Sequence, residues 1–313
     1  MTAIGIDIGG TQIKAAAFSE MGEVLGQRTL PTDDHGGENP PPFAVNVRSL
    51  VADLETATER AGTVGISAPG LSDADGRSIS YMPGRMHGLE GFDWEVWLGR
   101  QARVMNDAHA ALLGEVWQGA AKGLRHAVLL TLGTGVGGAI WSEGRLIRGR
   151  CGRAGHIGHM SLNPYGRPTI AGMPGGLEDW MGNHNIEERS NGRFATTHDL
   201  VAAYAAGDTF AAEVWLKSIR ALAVAVSSLV NIVDPEAVIL GGGIAKAGSA
   251  LFLPLQEALD EVEWRPGGAT VKLLAAQLGE WAGTYGAAWQ GMISQADDFR
   301  VGQCGPVRDS SAV

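Results

Sequence analysis

Apolar and small residues alternate from the start of the chain. "IGIDIGGTQIKAAAFSEMGEVLGQRTL" (4–30) predicts three strands, Ile4–Ile8, Gln12–Phe18 and Glu23–Leu30, with a glycine turn after the first and a hairpin turn at Met21-Gly22. Residues 33–42, "DDHGGENPPP", read as a loop, and Phe43–Ala61 as a helix. "TVGISAPG" predicts a buried strand ending at Pro69-Gly70, followed by a glycine-punctuated loop over 70–92. "ARVMNDAHAALLGEVWQGA" predicts a strand, a turn at Asn106-Asp107 and a helix. The opening plan then recurs. "HAVLLTLGTGVGGAIWSEGRLIRG" (126–149) again gives strand, glycine turn, strand, a tight turn at Glu143-Gly144 and strand, which points to an internally duplicated α/β fold. Further on, 176–206 mixes helix and loop. Ile219, Leu222, Val226, Leu229 and Val233 recur at alternating helical spacings, so 209–233 reads as a long helix with one buried face, stopped by Asp234-Pro235. "AVILGGG" predicts a buried strand, "GTYGAAWQGMISQA" a helix, and the last residues a frayed end.

Length and composition narrow this picture. At 313 residues the chain is long enough for two lobes, since single cores stop growing near ~250–300 residues. Its 46 glycines are about twice the usual share, and they cluster in short loops at strand ends rather than in a repetitive tract. A net charge of −10 argues against a nucleic-acid groove or an anionic membrane surface as partner. Cys151 and Cys304 are too few for a disulfide framework. Met1–Ile8 runs straight into a strand pattern instead of a signal peptide, and no uninterrupted apolar stretch reaches the ~20 residues of a spanning helix. A cytoplasmic protein is expected.

Several short motifs bear chemistry. In "DIGGTQIK" a strand delivers Asp7 to its end, where Gly9, Gly10 and Thr11 can offer N–H groups and a hydroxyl to phosphate. Asp7 would hold Mg²⁺ through water, because magnesium keeps much of its hydration shell. A plain hairpin with a glycine turn is the competing reading. "LGTGVGGA" (132–139) is a second such loop, and two strand-flanked loops, one per lobe, strengthen the phosphate reading of both. "LGGGIAKAG" (240–248) fits G-x-G-x-x-G poorly and reads better as a nucleoside wall than as a dinucleotide site. Asp107 opens a helix, where an aspartate serves as an N-cap, as a general base kept ionised by the helix start, or as both. In "AGHIGHM", His156 and His159 stand three apart, open to metal, acid/base or substrate-binding roles.

Together these segments resemble the ROK sugar kinases (repressor, open reading frame, kinase) of the hexokinase–actin fold group, from Ile4 to about Met292. The carriers are "DIGGTQIK", "GISAPGLSDADG", "NDAHAALLGE", "LGTGVGGAI", "GRAGHIGH", "GGLED", "NIVDPEAVILGGG" and "GEWAGTYGAA". The resemblance implies a two-lobed actin-like, ribonuclease H-like α/β ATPase fold, with duplicated β-β-β-α-β-α units around an interlobe cleft. The expected lobes are 1–117 and 118–292, with 293–313 as a tail. It also implies Mg²⁺-dependent transfer of the ATP γ-phosphoryl to a sugar hydroxyl, usually the 6-OH. By motif, Asp107 is the base, and Asn106 and Gly70 are sugar contacts. Asp7, Gly9, Gly10, Thr11, Lys14, Gly133, Thr134 and Gly135 handle phosphate and metal, while Gly242 and Gly243 line the adenosine pocket. A homodimer is expected. No helix-turn-helix precedes Ile4, so the repressor branch is not.

The chain also departs from the family pattern. Where relatives usually read G-E-x-G-H, this chain has His156 in place of the glutamate. The family's zinc thiolates correspond to Thr169, Ala171 and Gly176 in "TIAGMPGGLE", so of the usual ligands only His159 remains and no structural zinc is expected. "RMHG" places Arg85 where the family's sugar loop has an asparagine. The preferred reading gives His156, His159, Glu178 and Arg85 to substrate recognition. A new metal site with Glu178 or Asp179, or a packed pair without function, are the alternatives for the histidines. Neutral imidazole offers a donor and an acceptor where a carboxylate only accepts, which suggests a modified hexose, an amino sugar or a cyclitol. A non-catalytic sugar-binding regulator or scaffold on the same fold is the rival from another class.

Overall fold

The computed structural model describes residues 2–34, 39–84 and 86–294. Arg85, residues 35–38 of the expected loop and 295–313 of the expected tail lie outside the described residues. By its internal contacts the chain divides into two compact units. The first holds 1–107, 148–153 and the chain from Ala287; the second holds 108–147 and 154–286.

The first unit is built on β1 (Thr2–Ile8), β2 (Gln12–Ser19), β3 (Val24–Pro31), α1 (Pro42–Thr58), β4 (Gly62–Ala68), β5 (Leu71–Ser72), β6 (Ile79–Tyr81), α2 (Trp94–Leu98) and β7 (Ala102–Asn106). Its main sheet runs β3-β2-β1-β4-β7. The β1-β2-β3 meander is antiparallel, whereas β4 and β7 join parallel to β1 after crossover connections. Helix α1 covers one face through Phe43, Val47, Leu50 and Leu54, all fully or nearly fully buried against Ile4, Ile6 and Ile66. The 70–92 segment, expected as a loop, contains the small antiparallel pair β5–β6. Arg148 reaches this pair, donating from Nη2 to Ser72 Oγ (2.8 Å) and to the Asp73 carbonyl (2.9 Å).

The second unit repeats the order. Helix α3 (Asp107–Gln118) is followed by β8 (Ala127–Leu132), β9 (Val136–Ser142) and β10 (Arg145–Leu146). Then come α4 (Leu177–Met181), α5 (Ile186–Arg189), α6 (Thr197–Ala205), α7 (Thr209–Val233), β11 (Ala237–Gly241), α8 (Ser249–Asp260) and β12 (Lys272–Ala275), while α9 (Ala282–Ser294) begins in this unit and belongs to the first from Ala287. The sheet runs β10-β9-β8-β11-β12, with the meander antiparallel and the last two strands parallel, so the duplication expected from the sequence is present strand for strand. Helix α7 spans the expected residues and is long and apolar enough, by length and composition, to cross a membrane. Its apolar face is nevertheless spent inside the unit. Trp215, Ile219, Leu222 and Val226 are buried among Val128, Leu130, Val238 and Leu240 of the sheet. Asp208 caps its start by accepting from the Ala211 N–H at 2.8 Å.

One detail differs from expectation. No turn intervenes at Asn106-Asp107: β7 ends on Asn106 and α3 begins on Asp107. By its contacts α3 groups with the second unit from Ala108 onward. The cause is packing. A Cβ on Gly286 would collide with the Ala110 carbonyl, and Glu115 is bonded to Gln277 and Leu278.

Candidate active site

In the first unit, β1 carries Asp7 one residue short of its end, level with Lys14 on β2 and Ser67 on β4. Ser67 Oγ donates to Asp7 Oδ1 at 2.6 Å. Burial pushes the Asp7 carboxyl up to about 6; the Ser67 hydroxyl opposes this, the nearby Asp107 charge adds to it, and Lys14 offsets part of it. The glycine turn is shaped by its own backbone and by Thr32. Gly9 N–H donates to Gln12 O (3.0 Å), Thr32 Oγ1 donates to Gly9 O (2.6 Å), and Thr32 N–H donates to Thr11 O (3.0 Å). A Cβ at Gly10 would meet nothing within 4 Å, so the backbone there is open to approach.

Asn106 and Asp107 differ sharply despite being neighbours. Asn106 is 5% exposed, and its amide donates to the Gly70 carbonyl at 3.0 Å, so two expected sugar contacts are joined. Asp107 is exposed, as the first residue of α3, where the helix dipole favours its ionised form. Arg85 lies outside the described residues.

The second unit presents the other loop. Gly133, Thr134 and Gly135 form the turn between β8 and β9. Gly133 N–H donates to Gly135 O at 3.0 Å, while Asn183 N–H and His184 N–H donate to the carbonyls of Gly133 and Thr134, each at 2.9 Å. A Cβ on Gly133 would meet nothing within 4 Å. Gly242 and Gly243, just past β11, line a cavity of about 330 Å³ together with Glu115, Thr131, Lys246 and Glu280. That volume lies within the range of small-molecule sites.

His156 precedes and His159 ends the short 3-10 turn Ile157–His159, with rings stacked at 6.3 Å between centroids and 20° between planes. His159 Nδ1 lies 3.2 Å from Glu178 Oε1. The Glu178 carboxylate beside it raises the His159 pKa against the opposing effect of burial. The His159 ring in turn lowers the Glu178 pKa against the opposing effect of burial. Glu178 faces His159, while Asp179 faces His184 at 3.2 Å. Among the described residues, no group of three or more His, Cys, Asp or Glu side chains is placed to hold a metal.

Sequence reasoning passed over two buried groups on α3. His109 is 1% exposed, lies edge-on to His156 at 6.0 Å between centroids, and brings Nε2 to 2.9 Å from the Ala154 carbonyl. Glu115 is fully buried and accepts backbone N–H bonds from Ala120 (2.7 Å), Gln277 (2.9 Å) and Leu278 (2.9 Å). A charged or imidazole side chain among "AHAALLGE" alanines and leucines was the available signal, but its partners are remote in sequence.

Thr169, Ala171 and Gly176 belong to a hairpin closed by hydrogen bonds. Thr169 N–H donates to Met173 O (2.8 Å), Gly175 N–H to Arg167 O (2.8 Å), Leu162 N–H to Gly175 O (2.9 Å), and Ala171 N–H to Thr169 Oγ1 (3.2 Å). Thr169 is buried, and its methyl group occupies the space beside Gly176. This donor set, without a thiolate, does not suit zinc. The hard oxygens around Asp7 do suit magnesium.

The ROK family model matches residues 3–291. This chain belongs to the ROK family. A glucokinase of Thermotoga maritima is 33% identical over 91% of this chain and 95% of the relative. An N-acetylmannosamine kinase of Escherichia coli is 30% identical over 92% of this chain and 97% of the relative. Among solved structures, the ROK hexokinase from Thermus thermophilus matches with a TM-score of 0.85 at 31% identity, covering 95% of this chain and 100% of that one. This ROK chain has the actin-like ATPase fold and is an ATP-dependent carbohydrate kinase. The non-catalytic alternative is set aside.

Proposed function

We propose that the kinase transfers the γ-phosphoryl of ATP to the 6-OH of a hexose or a modified hexose such as an amino sugar, with Asp107 as general base. The observation that carries this reading is the contrast at the end of β7: Asn106 is buried and committed to Gly70, and the next carboxylate is exposed at a helix start. An accessible carboxyl held at a strand end is what proton abstraction from an alcohol requires. As the hydroxyl oxygen bonds to the γ-phosphorus, its proton passes to Asp107, the bond to the bridging oxygen breaks, and ADP leaves. Positioning and charge neutralisation supply most of the catalysis.

Asn106, Gly70, His156, His159 and Glu178 are assigned to the sugar, with Arg85 in the same role. Asp7, Gly9, Gly10, Thr11, Lys14 and Gly133–Gly135 are assigned to phosphate, and Gly242 and Gly243 to the nucleoside. Bound magnesium would neutralise phosphate charge, held by Asp7 through water. The hairpin around Thr169 takes the place of a structural zinc. Support for a substituted sugar comes from His156, whose ring can both donate and accept, and from a relative named for an acetylated amino sugar.

Coupled ADP release across hexoses, aminohexoses, N-acylated aminohexoses and cyclitols tests the substrate class. Asp107→Asn should keep the fold, because the side chain is exposed, and lose about 10²–10⁴ of kcat. An unchanged kcat removes Asp107 from the chemistry.

A further inference from the structure

We propose that His184, held by Asp179, is a positioning residue that aims the backbone donors of the 133–135 turn at phosphate. The proposal rests on the phosphate role given to that turn above. Thr134 O receives two bonds from the same residue: the His184 N–H at 2.9 Å and the His184 ring Nδ1 at 2.9 Å. Asn183 N–H occupies Gly133 O at 2.9 Å. Because a trans peptide is planar, its carbonyl and the following N–H point in opposite directions. Fixing Gly133 O therefore fixes the direction of Thr134 N–H, and fixing Thr134 O fixes that of Gly135 N–H. Both point away from 183–184. Gly133 N–H, by contrast, is already engaged by Gly135 O at 3.0 Å.

The hook is braced. His184 Nε2 lies 3.2 Å from Asp179 Oδ1, and Asn185 Nδ2 donates to Asp179 O at 3.0 Å. Arg189 donates from Nη2 to Gly182 O at 2.8 Å and from Nη1 to Ser218 Oγ on α7 at 2.6 Å, which ties the segment to the core. Gly182 has to be glycine for the approach: a Cβ there would stand 2.7 Å from His184 Nδ1 and 2.8 Å from Thr134 O. Glu178, adjacent to Asp179 on α4, lies against the same turn, where a Cβ on Gly135 would meet its Oε2 at 2.9 Å.

The test is calorimetric binding of the non-hydrolysable nucleotide AMPPNP with Mg²⁺, alongside thermal unfolding. His184→Leu should weaken AMPPNP by about tenfold with little change in Tm, as expected for losing one well-placed hydrogen bond. His184→Asn, whose amide nitrogen can stand where Nδ1 stands, should restore most of the affinity. Asp179→Ala should weaken binding severalfold. An unchanged AMPPNP Kd in His184→Leu overturns the proposal, as does equal weakening in His184→Asn. If His184→Leu does not fold, Asp179→Asn carries the same test: weakened AMPPNP at normal Tm supports the role, and unchanged affinity overturns it. Gly133→Val separates the two levels, because its side chain enters open space. If that variant binds AMPPNP normally, the phosphate reading itself fails. If it loses AMPPNP while His184→Leu does not, only the positioning role fails.

Discussion

The two glycine turns share one plan yet are held differently. Asp7–Gln12 joins β1 to β2, and Leu132–Val136 joins β8 to β9, each at the head of an antiparallel meander with two parallel strands beyond. The first turn is tied to the strand end nearest in the meander, through Thr32, and has an acid at its base. The second lies against the Glu178 carboxylate, which a Cβ on Gly135 would meet at 2.9 Å, and its carbonyls are taken by Asn183 and His184, some fifty residues later. Duplication supplied the same turn twice, and the surroundings brace each copy differently: a threonine at a strand end holds the first, and a segment distant in sequence holds the second.

The largest effects should come from filling the open backbone of either turn. Gly10→Val and Gly133→Val each place a side chain where nothing lies within 4 Å, so Tm should hold while kcat/KM for ATP falls about 10²-fold. Equal loss from both would support a joint phosphate role; loss from one alone would break the pairing.

Asp7→Asn sharpens the comparison through the acid of the first turn. The folded-state pKa of Asp7, about 6, lies above its ordinary 3.8. Between those values the folded chain holds a proton that the unfolded chain has released, so stability falls as pH rises through that window and stays lower above it. The cost at neutral pH is at most roughly 3 kcal/mol. Asp7→Asn should therefore raise Tm at pH 7.5, lose that advantage near pH 4, and greatly reduce turnover. Magnesium-dependent activity of the unaltered enzyme should decline as pH falls through about 6.

His156→Glu should shift the ratio of kcat/KM values severalfold toward glucose over N-acylated aminohexoses, since a carboxylate can only accept. An unchanged ratio would count against His156 as a reader of the sugar. Smallest is Thr32→Val, which removes the hook on Gly9 O. About 1 kcal/mol of stability and a few-fold rise in KM for ATP are expected, measured by denaturant unfolding and steady-state kinetics.

Much of the architecture was legible because it is local. Strand alternation at 4–30, its repetition at 126–149 and the helical spacing of Ile219 to Val233 each lie within a short window. The four-residue strand β12 and the pair β5–β6 were not read, because such short runs owe their conformation to neighbouring strands. Of the candidate site residues, Asp7 and Asp107 were legible through their places at strand ends. His109, Glu115 and His184 were not, for what defines each is a backbone group distant in sequence: Ala154 O, Gln277 N–H and Thr134 O.

Helix α4 is five residues long, far below the length at which a helix persists unaided in water. Its survival is borrowed from what it touches: Met160 O receiving the Leu177 N–H, the two histidines, and the buried sides of Leu177 and Met181. Such an element has no reserve of its own, so damage at any one of those supports should be felt by all the others, and slow amide exchange across 177–181 would then report the integrity of the whole corner at once.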